Sequence, residues 1–198
     1  MPAQPERPVL VRTALAGELD AVGRLTVRAY APFIPPTSPY RRRLADAADR
    51  AANASLLVAV GTASPALLGT ATLVVGNGPY AELAGPGEAE LRMLAVDPAA
   101  RRRGVGAALV RAVLDRARAG GARRVLLSTM PAMEEAQRLY RRFGFARAPD
   151  LDHRPAPGVR LLAFTLDLPP PDSVPGRPAG SAGASPAATG DGGASLTP

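Results

Sequence analysis

RRRGVGAALV, residues 101–110, decides how the chain is read. Three arginines run into Gly104 and Gly106, and helical spacing follows, although glycine inside a helix costs about 0.5–1 kcal/mol relative to alanine. A glycine there makes sense where something must approach the backbone closely, or where a strand turns tightly into a helix. Upstream, LRMLAVDP (91–98) is a strongly apolar strand stopped at Asp97-Pro98. Downstream, GAALVRAVLDRARAGG (106–121) puts Leu109, Val110, Val113, Leu114 and Ala117 on one face and stops at Gly120-Gly121, a helix-ending signal. Strand, glycine loop and helix N-terminus together make an anion site, because free backbone N–H groups and the helix dipole converge there. The arginines add positive charge at the same mouth.

Outward from this centre, short apolar runs alternate with amphipathic segments and no internal repeat is visible, as expected of one α/β or α+β domain over residues 8–168. VLVRTA (9–14) reads as a strand. GELDAVGRLTVRAY carries Leu19, Val22, Leu25, Thr26 and Ala29 at helical spacing, and SPYRRRLADAADRAAN reads as one helix capped by Ser38. SLLVAVGT and LLGTATLVV are two strands, followed by the Gly/Pro loop GNGPYAELAGPG and the strand EAELRMLAV. Beyond the central helix come the strand RRVLLSTM, the helix MEEAQRLYRRFGF, a short strand at 145–148, the Pro-rich loop PDLDHRPAPG and the last strand VRLLAFTLDL. From Pro169 to Pro198 the chain is Pro, Gly, Ala and Ser with almost no large apolar side chain, so a disordered tail is expected at 169–198 after a domain at 1–168.

Composition narrows the chemistry. The 198 residues contain no cysteine and one histidine, His153, which excludes thiolate nucleophiles, disulfides, Cys-ligated metals and a histidine metal cluster. No apolar run reaches the roughly 18 residues of a membrane span, and MPAQPERPVLVR lacks a signal-peptide plan, so a cytoplasmic protein without a membrane partner is expected. The net charge of +7 raises nucleic acid as a partner. Every basic side chain is arginine, however, in an Ala- and Pro-rich chain that suggests GC-biased coding, and aromatics for base stacking are few, which argues against it.

Which phosphate compound the glycines suit is narrowed by exclusion. A P-loop needs a lysine after its last glycine, and the chain has none. A dinucleotide fold needs G-x-G-x-x-G and an acid about 20 positions on. Here the third glycine is replaced by Leu109, and the next strand ends Ser128-Thr129-Met130 without an acid. By themselves the glycines also fit a plain turn with solvated arginines.

The flanks favour a ligand. Arg101, Gly104 and Gly106 match the R/Q-x-x-G-x-G/A signature of acyl-CoA binding in the GCN5-related N-acetyltransferases, LRMLAVDP resembles that family's fourth strand, and AQRLYRRFGF resembles its A-x-x-L-Y-x-x-x-G-F motif. The resemblance covers residues 8–168 in order. It implies a mixed, strongly twisted α/β (α+β) sheet of 6–7 strands flanked by about four helices, with acetyl-CoA as cosubstrate. Backbone groups of Leu94, Ala95 and Val96 would pair with the pantetheine arm, and Arg101, Arg102, Arg103, Gly104, Val105, Gly106 and Ala107 would cradle the pyrophosphate.

Acetyl transfer to an amine needs a deprotonated nucleophile, a stabilised carbonyl oxygen and a proton for the departing thiolate. The resemblance gives the last role to Tyr140, the carbonyl contact to the Leu94 N–H and the base to Glu90, with Glu82, Glu88 or a water chain as alternatives to it. Glu90 also alternates with Arg92 along a strand, as a surface ion pair would. Met133 stands where many relatives carry an asparagine, so the chain departs from the resemblance at a contact to CoA or to the active-site water. His153 lies in the Pro-rich loop before the last strand, where the resemblance implies substrate-facing residues, although a lone loop histidine by itself reads as solvated. With no cysteine, transfer is expected to be direct within a ternary complex, to a small-molecule amine first and a protein N-terminus or lysine second, by a monomer or homodimer. Tyr30, Phe33, Tyr40, Tyr80 and Glu82 would shape the acceptor pocket. A noncatalytic acyl-CoA-binding module is the competing class.

Overall fold

Alternating apolar positions produce a single eight-stranded sheet in the computed structural model, which describes residues 9–62 and 65–169. In chain order the elements are β1 (Val9–Thr13), α1 (Leu19–Tyr30), α2 (Tyr40–Ala45), α3 (Ala47–Asn53), β2 (Ser55–Gly61), β3 (Leu67–Val75), β4 (Glu88–Val96), α4 (Val105–Ala119), β5 (Arg124–Thr129), α5 (Glu134–Arg142), β6 (Ala146–Arg147), β7 (His153–Ala156) and β8 (Val159–Asp167). The strands lie in the order β1-β2-β3-β4-β5-β8-β6, with β7 paired to β8. Only β4 and β5 run parallel, and α4 makes the crossover between them. The expected tail at 169–198 falls, from residue 170 on, outside the described residues. Among the described residues no helix is long and apolar enough to cross a membrane.

Two apolar layers sandwich the sheet. On one face α4 and α5 bury Val105, Leu109, Val113 and Tyr140 against Leu57, Leu73, Leu91, Leu127 and Phe164. On the other, α1 and α3 bury Val22 and Ala47 against Leu56, Val58 and Val60, while Leu25 and Ala29 meet Ala95. The α1 face is the one its sequence spacing predicts, with Val22, Leu25, Thr26 and Ala29 all buried.

Two elements differ from the sequence expectation. The helix expected over 38–53 is two helices, because Asp46 turns the chain (ψ 77°) and its carboxylate accepts the Asp49 N–H at 2.9 Å, capping α3. Ser38 is not the cap. Pro39 stands there, and the Ser38 hydroxyl accepts the Tyr40 N–H at 3.3 Å. Residues 153–156, expected as loop, form β7, which raises the strand count to eight. Two prolines hid it, and its place at the edge of the sheet tolerates them.

The corner between α1 and α2 is closed by backbone contact. A Cβ on Gly23 would lie 2.0 Å from the Ala45 carbonyl oxygen, so Gly23→Ala must push the helices apart. Overpacking of this kind costs about 1–3 kcal/mol. The expected result is a loss of that size in urea-unfolding free energy, with an unchanged m-value.

Candidate active site

The centre of the molecule is a break in the ladder. Thr70 pairs with Ala95 and Thr72 with Arg92, so Ala71 alone opposes Met93 and Leu94, a β-bulge in β4 with Met93 at φ 50°. On its other side β4 pairs with β5 only from Glu88 to Leu91, against Arg124 to Leu127. Beyond that point β4 runs on to Val96 and β5 to Thr129 without pairing with each other. The two parallel strands therefore part beyond Leu91 and Leu127, leaving their facing edges unpaired with each other. Leu94 and Val96 pack toward α4, while Met93 and Ala95 join the clusters on the α1 face.

At one end of the gap stands the start of α4. Gly104 takes φ 74°, a left-handed conformation that glycine adopts without strain, and its carbonyl accepts the Ala108 N–H at 2.9 Å as the first helical bond. The N–H groups of Val105, Gly106 and Ala107 precede that bond and have no helical acceptor. A Cβ on Gly104 would meet nothing within 4 Å, so the turn is open to space at this residue. Gly106 has a packing reason of its own, since a Cβ there would come 3.1 Å from Leu139 and 3.6 Å from Val96. Arg101, Arg102 and Arg103 are exposed and, among the described residues, form no ion pair.

Tyr140 lies on the α4 face, buried at 5% exposure, its ring 5.9 Å from Phe145 and 6.4 Å from Phe164. Burial pushes its phenol well above the ordinary tyrosine range. Tyr30, at the end of α1, belongs to the opposite face. Its phenol is pushed up first by burial and then by the neighbouring Tyr40 and Tyr140 hydroxyls, with Arg92 and Arg50 pulling the other way.

Glu90, the expected base, is not the exposed partner of Arg92 that alternation alone would give. It lies between Ala89 and Leu91, which pack toward α4, so its side chain points to the α1 face, where it is fully buried. Oε2 accepts three backbone N–H groups of the β3–β4 loop, from Glu82 and Leu83 at 2.8 Å and Ala84 at 3.2 Å, and Oε1 lies 3.5 Å from Arg92. Arg92, itself buried, donates to the Tyr80 carbonyl and to Glu82. Glu82 in turn meets His153 of β7, Nε2 to Oε2 at 3.4 Å. Glu90 and Tyr140 thus stand on opposite faces, and Arg92, Glu82 and His153 form a charged chain over the α1 face.

The aromatic residues expected around an acceptor gather here too. Tyr80 and Met93 are buried with Ile34 and Leu44, and Tyr30, Phe33 and Tyr40 pack half-buried against them. The Tyr80 hydroxyl donates to Asp49, and burial first, then that carboxylate, pushes it up to about 12. It serves as wall. The sequence reading paired Arg92 with Glu90 but missed its burial and its bonds to Tyr80 and Glu82, and it missed the His153–Glu82 contact. E-x-R at 90–92 inside an apolar strand was a signal for the first, whereas no local pattern joins residues 82 and 153.

A sequence profile described as the Acetyltransferase (GNAT) family matches residues 20–145, which takes in α1, the splayed strands, the α4 turn and Tyr140. The chain belongs to the GNAT acetyltransferase family. It is thereby an acyltransferase, of a family that uses acetyl-CoA as cosubstrate. Solved structures show the same fold. A GNAT-family acetyltransferase of Staphylococcus aureus Mu50 superposes with a TM-score of 0.67 at 15% identity, over 82% of this chain and 100% of its own. One from Brucella melitensis, in complex with acetyl-CoA, gives 0.53 at 24% identity over 83% and 93%. The ribosomal-protein-S18-alanine N-acetyltransferase of Escherichia coli gives 0.57 at 20% over 80% and 91%. No curated protein matches this acetyltransferase.

Proposed function

We propose that the protein transfers the acetyl group of acetyl-CoA to the primary amine of a small molecule, by direct attack in a ternary complex in the cytoplasm. The observation that carries this reading is the parting of β4 and β5, with the amide-lined start of α4 on one face and the aromatic and charged wall on the other. Acetyl-CoA supplies an activated acyl thioester. The N–H groups of Val105, Gly106 and Ala107, with those of Arg101 to Gly104 in the turn, are the donors for its pyrophosphate, and the three arginines supply charge. Backbone groups of Leu94, Ala95 and Val96 on the unpaired edge of β4 suit the pantetheine arm as an added strand, the Leu94 N–H being the contact for the carbonyl oxygen. Tyr140 is the proton donor to the leaving thiolate.

Glu90 contributes by fixing the 82–84 loop over the acceptor face, with one oxygen engaged by three amides and the other beside Arg92. The expectation that it takes the amine proton itself is tested by Glu90→Gln. An anchor role predicts a loss of stability together with a raised KM for the amine, and a base role predicts a fall in kcat at unchanged stability.

The first test is calorimetric titration with acetyl-CoA. Gly104→Glu sets a carboxylate in front of the free amides and is expected to weaken binding at least about tenfold, or about 1.4 kcal/mol, whereas Gly104→Ala carries the same backbone strain without the charge and should lose less. Release of free thiol is then followed over a panel of alkylamines, amino acid amides, polyamines, aminosugars and a short peptide with a free N-terminus. No acetyl-CoA binding by the folded wild type would sink the reading. Preference for the peptide would move it to protein N-termini.

A further inference from the structure

The geometry points to His153, held by Glu82, as the group that takes the proton from the acceptor's ammonium. This rests on the acetyl-transfer reading above and goes beyond it by naming the base. Register places the ring. Leu127 and Phe164 are partners on the α4 face, so Ala163 and Leu161 of β8 point to the opposite, acceptor face, and His153 is the partner of Leu161. Its ring then reaches Glu82, which is tied to Arg92 immediately before the bulge at Met93. A side chain remote in sequence is thus brought to the side of the gap where an amine must arrive, opposite the α4 turn.

The hydrogen bonds suit a proton acceptor. His153 Nδ1 lies 3.3 Å from the Leu151 carbonyl, which can only accept, and in the neutral tautomer that donates Nδ1–H there the Nε2 lone pair faces Glu82 Oε2. Two acceptors then face each other across 3.4 Å, a slot that one added proton fills. In the proposed step an N–H bond of the substrate ammonium breaks and an Nε2–H bond forms. The amine keeps the electron pair for attack, and the imidazolium is stabilised by Glu82 and later returns the proton to water. Glu82 is the positioning residue. The other charges around the ring are committed elsewhere. Asp152 is paired with Arg147 and Arg160, Arg92 with Glu82 and Glu90, and Arg154, beside His153, is exposed.

Because the chain has one histidine, its imidazole signals in proton–carbon NMR report this group alone. The test compares that titration with the pH profile of kcat/KM for the fastest amine of the panel, at saturating acetyl-CoA. An acidic limb whose midpoint coincides with the NMR titration is expected, and in His153→Gln the limb should vanish and the plateau fall about a hundredfold. Glu82→Gln should displace the limb and the NMR titration together. A limb that keeps its midpoint in His153→Gln, or stays fixed in Glu82→Gln while the imidazole titration moves, overturns the assignment. Circular dichroism and acetyl-CoA calorimetry on each variant keep this distinct from the parent reading, which fails only if the wild type itself does not bind acetyl-CoA.

Discussion

Tyr140→Phe is expected to lower kcat about 100- to 1,000-fold while leaving acetyl-CoA affinity and thermal stability nearly unchanged, the range that removal of a single acid or oxyanion donor produces. The substitution deletes one oxygen and keeps the ring. The edge contacts to Phe145 and Phe164 are therefore preserved, and no cavity larger than the lost atom opens. Among the described residues the hydroxyl has no hydrogen-bond partner, so its removal leaves no buried group unpaired. A tyrosine retained only for packing would then lose nothing in either stability or rate. One placed to protonate a thiolate loses rate alone. Because burial raises its pKa, the phenol holds its proton through neutral pH and into the alkaline range, and the donor form is fully present wherever the enzyme is assayed. Any alkaline limb in kcat near neutrality must belong to another group. Measured kcat values, calorimetric affinity and melting temperature on the same two proteins separate the roles.

What could be read from the chain beforehand was whatever is encoded locally. The α4 turn was legible because its requirement is local. Gly104 must reach φ 74°, the strand before it is continuously apolar, and the helix after it shows its period. The tyrosine motif was legible for the same reason. Glu90 was misjudged in its surroundings because alternation gives the face of a strand but not what covers that face. Here the covering is a loop whose amides converge on the carboxylate, and such a loop has no pattern of its own. The bulge was invisible. Met93 at positive φ contradicts local preference, and only the extra residue in register against Ala71 makes it necessary. His153 and Glu82 are joined by the fold across 71 positions. The break at Asp46 was within reach, since an aspartate three residues before Asp49 is a capping signal. The continuous apolar period through 44 and 47 outweighed it.

That break also explains why the most deeply buried cation among the described residues is tolerated. Arg50 has 0% exposure and, among the described residues, no carboxylate partner, yet its guanidinium donates to the Arg43 and Leu44 carbonyls at 2.9 and 2.7 Å and to the Thr26 hydroxyl at 3.2 Å. The two carbonyls are last-turn groups of α2, left without helical donors when Asp46 ends that helix. Arg50→Met fills similar volume and removes the burial cost of the charge, which works against any loss. It also leaves the buried Leu44 carbonyl and the part-buried Arg43 carbonyl unpaired, at about 1–3 kcal/mol each, and these are expected to win by about 3 kcal/mol. In a domain of this size that lowers Tm by roughly 6–12 °C. Arg50→Lys should fall between, because an ammonium cannot reproduce the planar fork across three acceptors. Calorimetric melting of the three proteins decides it, and a methionine variant as stable as the wild type would mean that desolvation cancels the bonds. The consequence reaches the site. The α2–α3 corner carries Tyr40 and, through Asp49, the Tyr80 hydroxyl, so loosening it disturbs the acceptor wall while the α4 turn lies on the other face of the sheet. Below its melting range the Arg50→Met protein should therefore show a raised KM for the amine and an unchanged affinity for acetyl-CoA.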